Sequence, residues 1–173
     1  MSEGLATEAA NATDGYAPPA ERPPLGSYAA LSALFAAGLG GFLAAARRSG
    51  RLPEGFGAGD IALIGIASHK ISRLIAKDKV TAWLRAPFRR YVEQTGPSEL
   101  SEETRGEGPR AAVGELVGCP YCLGLWVATA LAAGVAVAPE ETRFVGGVFS
   151  ALTISDFMQI AYRAAQEKGL GVD

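Results

Sequence analysis

Residues 116–139 read LVGCPYCLGLWVATALAAGVAVAP, and none of these side chains carries a formal charge. A bilayer core takes about 20 helical residues to cross, so this stretch is predicted to be a membrane-spanning helix. Gly124, Ala128, Ala132 and Ala136 recur along it at four-residue spacing. Such a ladder of small side chains lets a second helix approach closely. Two other runs share the pattern. Residues 23–46 are free of charge, with a ladder of Ala29, Ala33, Ala37, Gly41 and Ala45 before the stop at Arg47 and Arg48. Residues 144–162 are apolar apart from Asp156 and some neutral polar groups, and Arg163 closes them. The short turn PEETR between the last two runs predicts an antiparallel hairpin.

Residues 56–76, FGAGDIALIGIASHKISRLIA, are harder to place. Only 61–68 is free of charge or histidine, with Asp60 on one side and His69, Lys70 and Arg73 on the other. A charge at the bilayer centre costs about 2.5 to 3.5 kcal/mol on insertion scales, less near the helix ends. The segment therefore either crosses or is re-entrant. Next comes KDKVTAWLRAPFRRYV, residues 77–92. Val80, Trp83, Leu84, Phe88 and Tyr91 fall on one helical face, with Lys79, Arg85, Arg89 and Arg90 around the remainder. This pattern predicts a basic amphipathic interfacial helix over 79–92. Trp83, Arg85, Phe88, Arg89, Arg90 and Tyr91 are its expected anchors to an anionic cytosolic leaflet. A basic patch also suits nucleic acid, but its membrane neighbours argue against a nucleic-acid partner.

The expected fold class is an all-α polytopic membrane protein. It has four membrane helices, three full spans plus the polar second segment, and the interfacial helix. Expected boundaries are 25–46, 57–76, 79–92, 117–138 and 144–162, with a mobile loop over 93–112. Residues 1–24 form a disordered tail without the basic start of a signal peptide, and residues 164–173 form a short cytosolic tail. Two cysteines cannot build a secreted-type disulfide framework. With four crossings, Arg22, Lys77, Lys79, Arg85, Arg89, Arg90, Arg105, Arg110, Arg163 and Lys168 share one side, and Arg47, Arg48, Arg51 and Arg143 lie opposite. The positive-inside tendency makes the first side, and the C-terminus, cytosolic in a bacterial inner membrane. A re-entrant second segment gives an even better charge bias, so counting leaves three or four spans open.

Cys119 and Cys122 stand where the helix of 116–139 leaves the cytosolic face. With Cys119 as N-cap and Pro120 as first helical residue, the Cys119 sulfur accepts the Cys122 N–H, and the positive helix end favours a thiolate. CPYC resembles the glutaredoxin motif over these four residues alone, without a βαβ pattern before it. Counted at 1.5 Å per residue, Cys122, Arg73, His69 and Asp156 lie within roughly 6–12 Å of the cytosolic helix ends. Asp156 is expected to pair with Arg73 or His69. Asp78 and Gln159 are further polar partners. The candidate thiol or metal site is Cys119, Cys122, His69 and Asp156, with zinc the metal such ligands suit. The alternatives are thiol exchange, a polar clasp that holds the bundle together, and purely structural cysteines. His69 is the single histidine, and neither GxSxG nor HExxH occurs, so hydrolase chemistry has little support.

The blocks SRLIAKD and CPYCLGLW, within ASHKISRLIAKDKVTAWLRAPFRRY and GELVGCPYCLGLWVATAL, resemble a domain-of-unknown-function family of small bacterial integral membrane proteins. One of its members is labelled a sporulation protein. The resemblance covers residues 61–162, and Arg73, Asp78, Arg85, Cys119, Cys122 and Trp126 map onto its pattern. It implies an inner-membrane protein whose second segment crosses, and makes the first helix and the tail additions. It brings no activity, cofactor or catalytic residue. The chain is therefore expected to be a non-enzymatic scaffold or accessory subunit, oligomerising through its small-residue helix faces. The alternative is a metal-binding or thiol-redox protein using the CPYC pair.

Overall fold

The computed structural model describes residues 15–18 and 21–170. Most of the tail expected over 1–24, and the last three residues of the C-terminal one, lie outside them. The described chain forms α1 (Leu25–Arg48), α2 (Ala58–Lys77), a 3-10 turn (Lys79–Thr81), the single-turn α3 (Ala82–Arg85), β1 (Arg89–Gln94), β2 (Leu100–Thr104), α4 (Gly108–Gly118), α5 (Pro120–Val137) and α6 (Pro139–Leu170).

Three helices, Leu25–Arg48, Pro120–Val137 and Pro139–Gly169, are long and apolar enough to cross a membrane. Only 6%, 6% and 11% of their most apolar windows are buried within the protein. In water such helices would hide their side chains from solvent; here they present them outward, as a lipid-facing helix does. Leu34, Phe144, Phe157, Met158 and Ile160 are all well exposed.

The least apolar segment holds the central place. α2 packs on both α5 and α6, and carries much of the bundle's buried surface in Ala67, Ser68, Ser72 and Ala76. These small side chains admit close neighbours. A Cβ at Gly146 of α6 would stand 2.3 Å from Leu63 Cδ2, so the Leu63 side chain lies directly against the α6 backbone there. The direction of each helix follows from its partners. Asp60 pairs with Arg143, and Lys70 with Asp156, so α2 and α6 run parallel. Gly124 near the start of α5 faces Ser72 near the end of α2, so these two are antiparallel. The Phe35 ring meets Trp126 edge-on at 5.1 Å, and Tyr28 donates to Glu115, which sets α1 beside α5 in the same direction. The starts of α1 and α5 and the ends of α2 and α6 therefore gather at one end of the bundle.

A cap covers that end. β1 and β2 pair antiparallel, Arg89 opposite Thr104 and Arg90 opposite Glu103, with a bulge between Tyr91 and Glu93. The Lys79 N–H donates to Ser98 O at 2.8 Å and ties the hairpin to the end of α2. This corrects two expectations. Residues 79–92 do not form one amphipathic helix, because Pro87 interrupts it and the chain leaves as a strand. Residues 93–112 are not a mobile loop, since they supply β2 and the start of α4. The fold is mostly helical but includes this two-stranded sheet.

Other boundaries shift as well. The helix expected over 117–138 is two helices broken at Cys119, whose backbone is extended. PEETR is the first turn of α6 rather than a separate loop, and α6 continues helical through Leu170 where a tail was expected. The ladder on α5 is half-buried, whereas Ala29, Ala33, Ala37, Gly41 and Ala45 face outward from α1.

Candidate functional site

Where the cap meets the spans, three charged side chains share a buried cluster. Arg85 is 0% exposed, and Glu102 7%. Arg85 Nε and Nη2 donate to the two Glu102 oxygens at 2.6 and 3.1 Å, while Nη1 donates to Ile75 O, Asp78 O and Thr81 Oγ1. The planar guanidinium fork matches a carboxylate in this way. Its other bonds satisfy carbonyls freed where α2 ends. Arg89 adds a second cation, with Nε 3.5 Å from Glu102 Oε2 and Nη1 donating to Gly114 O at 2.9 Å. The guanidinium lies so close to α4 that a Cβ at Gly118 would fall 2.2 Å from Arg89 Nη1. One carboxylate from β2 thus joins α2, α3, β1 and α4.

Beside the cluster lies a polar cleft of about 580 Å³ between the ends of α2 and α6 and the hairpin turn. Lys70 and Asp156 pair across it at 2.6 Å, and Arg73 pairs with Glu99. Asp78 and Arg163 also face it. Burial pushes the Asp78 carboxyl above the usual range, with Glu99 and Asp156 adding to the effect and Lys70 and Arg73 opposing it. Gln159 lines the cleft, and His69 stands exposed at its rim, its ring stacked 6.2 Å from that of Phe157.

The thiols open elsewhere. Cys119 caps α5 as the spacing predicts, its Sγ accepting the Cys122 N–H at 3.2 Å. Burial raises the Cys119 thiol. The hydrogen bond with the Cys122 side chain, the N–H groups of Cys122 and Tyr121 and the charge of Lys77 outweigh it, and hold the pKa below the ordinary value. Cys122 turns into a largely apolar pocket of about 520 Å³ between α1, α4 and α5, beside Tyr28, Glu115 and Trp126.

Three of the four candidate metal ligands therefore fall into two separate cavities. His69 and Asp156 belong to the cleft and Cys122 to the pocket. Among the described residues no three His, Cys, Asp or Glu side chains are arranged to hold a metal. Asp156 takes Lys70, not Arg73 or His69, because α2 lies parallel to α6 with Lys70 directed at it. Arg85 and Arg89 are no leaflet anchors, since both are drawn into the protein by Glu102; Phe88 is half-buried. Trp83, Arg90 and Tyr91 do point outward. Sequence reasoning missed Lys70, Glu99 and Glu102 as partners. The latter two lie in what reads as a polar spacer, and the one available signal was the pairing of a basic run with an acidic one downstream.

Residues 63–162 match the family described as "Protein of unknown function (DUF1360)". The chain belongs to this family. It is 33% identical over 88 residues to Sporulation protein YjcA of Bacillus subtilis, a match covering 49% of this chain and 75% of that protein. UPF0713 protein YngL of the same organism is 31% identical over 78 residues, 43% of this chain and 56% of the relative. No solved structure matches. The matched region starts within α2 and ends within α6, so it takes in the cap, the thiols and all of the cleft but Arg163, and leaves α1 outside.

Proposed function

We propose that this chain is a four-span, non-enzymatic scaffold or accessory subunit of a bacterial inner membrane, with its cap and C-terminus in the cytosol. One observation carries the reading. α2 is bonded along α6, from Asp60–Arg143 at one end to Lys70–Asp156 near the other. A helix fastened along a spanning helix shares its depth, so α2 crosses with it. Pairing Asp60, Lys70 and Arg73 also removes much of the cost that made the segment doubtful. Arg143 and Arg163 stand about 30 Å apart along α6 at 1.5 Å per residue, the thickness of a hydrocarbon core. The excess of basic residues at the capped end supports a cytosolic cap.

The charged side chains around the cap join one element to another, as a part that holds a fixed shape requires. Trp83, Arg90 and Tyr91 then meet the anionic leaflet, and the outward ladder of α1 is the face for helix partners. Labelling and fusions test the topology together. An impermeant maleimide should modify Cys119 and Cys122 in inside-out vesicles but not in intact cells, and a reporter fused in 49–57 should be active on the outer side. Labelling of the thiols from outside, or a reporter on the same side as the cap, would refute the arrangement.

The depressed Cys119 thiol at a helix start favours a second reading, thiol exchange at the cytosolic face. Because one relative is named for sporulation, spore yield in a spore-forming host separates the two. The scaffold reading expects Glu102→Ala to lower it and Cys119→Ser with Cys122→Ser to leave it unchanged; the reverse result selects thiol exchange.

A further inference from the structure

The cleft at the capped end holds one anion and one cation that the bundle leaves unpaired. Lys70 is engaged by Asp156, and Arg73 by Glu99. Among the described residues Asp78 makes no side-chain hydrogen bond or ion pair, although it is half-buried and faces Lys70, Arg73, Glu99 and Asp156. Arg163, on the last turns of α6, makes none either, and both line the same cavity. The cavity also shares Gln159 and Arg163 with an open strip on the outer face of α6, where Ile154, Met158 and Tyr162 stand among Ser155 and Gln166. A partly apolar helix face that leads into a charged recess suits an amphiphile, tail along the first and head in the second.

Depth agrees with this shape. At 1.5 Å per residue Arg163 lies about 30 Å from Arg143, and Asp78 about 27 Å from Asp60. Both stand at the boundary where hydrocarbon gives way to headgroups. The free charges have opposite signs, so the matching headgroup is a zwitterion. A purely anionic head would set its charge against Asp78. A quaternary ammonium would offer charge but no N–H to donate.

We propose that this cleft binds a phospholipid whose headgroup carries a primary ammonium, with its phosphate on Arg163, its ammonium on Asp78 and an acyl chain along the outer face of α6. Burial that disfavours a lone Asp78 carboxylate fits a group that acquires a cationic partner. The inference rests on the membrane reading above, but its test in detergent does not depend on orientation or span count. The two therefore fail separately.

Native mass spectrometry of the full detergent-solubilised chain, titrated with phospholipids of identical acyl chains, decides the matter. Phosphatidylethanolamine should bind about tenfold more tightly than phosphatidylglycerol or phosphatidylcholine, the worth of one charge-assisted hydrogen bond. Asp78→Asn should abolish that preference, and Arg163→Gln should weaken phosphatidylethanolamine and phosphatidylglycerol alike. Neither side chain bonds to another element, so neither variant should unfold below the wild-type temperature. Soluble phosphoethanolamine should compete poorly. Phosphatidylglycerol binding as tightly as phosphatidylethanolamine, an unchanged preference in Asp78→Asn, or phosphoethanolamine matching the lipid would each overturn the assignment.

Discussion

Replacing Glu102 with Ala tests whether the cap is held by its buried charges. The substitution leaves Arg85, fully buried, and Arg89, 11% exposed, without their shared anion. Breaking a buried pair by removing one partner costs about 3–5 kcal/mol, since the remaining charge stays desolvated. Arg85 keeps its bonds to Ile75 O, Asp78 O and Thr81 Oγ1, which places the loss near the lower end. At about 1.4 kcal/mol per tenfold, local opening of the cap becomes on the order of 100-fold more frequent. Hydrogen exchange of peptides spanning 89–104, in detergent, reads this directly. Glu103→Ala is the matched control on the same strand. Its partner Arg90 lies 3.2 Å away, but the two side chains are 69% and 54% exposed, where a pair contributes about 0–1 kcal/mol. Equal exchange in the two variants would show that the buried charges do not fasten the cap.

The raised Asp78 carboxyl makes stability depend on pH. Its folded pKa exceeds the unfolded one, so its ionised form opposes folding; that penalty is absent below about pH 4, where the unfolded carboxyl is also protonated, and grows as pH rises through the folded value. Asp78→Asn should therefore raise the unfolding temperature at pH 7.5 and lose the advantage near pH 4, and a constant gain over that range would count against the assignment. Gly114→Ala should weaken the seat of α4 on the cap by about 1–3 kcal/mol, because the new Cβ would lie 2.7 Å from Phe88 O, a backbone atom that cannot swing away. Denaturation in mixed micelles would detect it, and wild-type stability would mean that α4 packs less tightly there than the structure shows.

The three apolar spans are legible from composition alone, because a run without charge long enough to cross a bilayer has few other stable settings. The cap on α5 is equally local: CPYC carries its proline and sulfur at the spacing that a helix start requires, and Cys119 serves as N-cap. Tertiary structure decided the rest. Hydropathy measures preference for lipid, so it marks α2 as the weakest helix, whereas α2 packs on two neighbouring helices and its charges at Asp60 and Lys70 are answered by Arg143 and Asp156. The basic stretch around Arg85 looks like a membrane anchor until Glu102, far along the chain in a polar spacer, folds back and draws it inward. Of the proposed zinc ligands, His69 and Asp156 line one cavity and Cys122 another for a similar reason. Helical rise fixes depth along a rod, but rotation about the axis is set by which neighbours pack against it, and residues at one depth can face separate cavities.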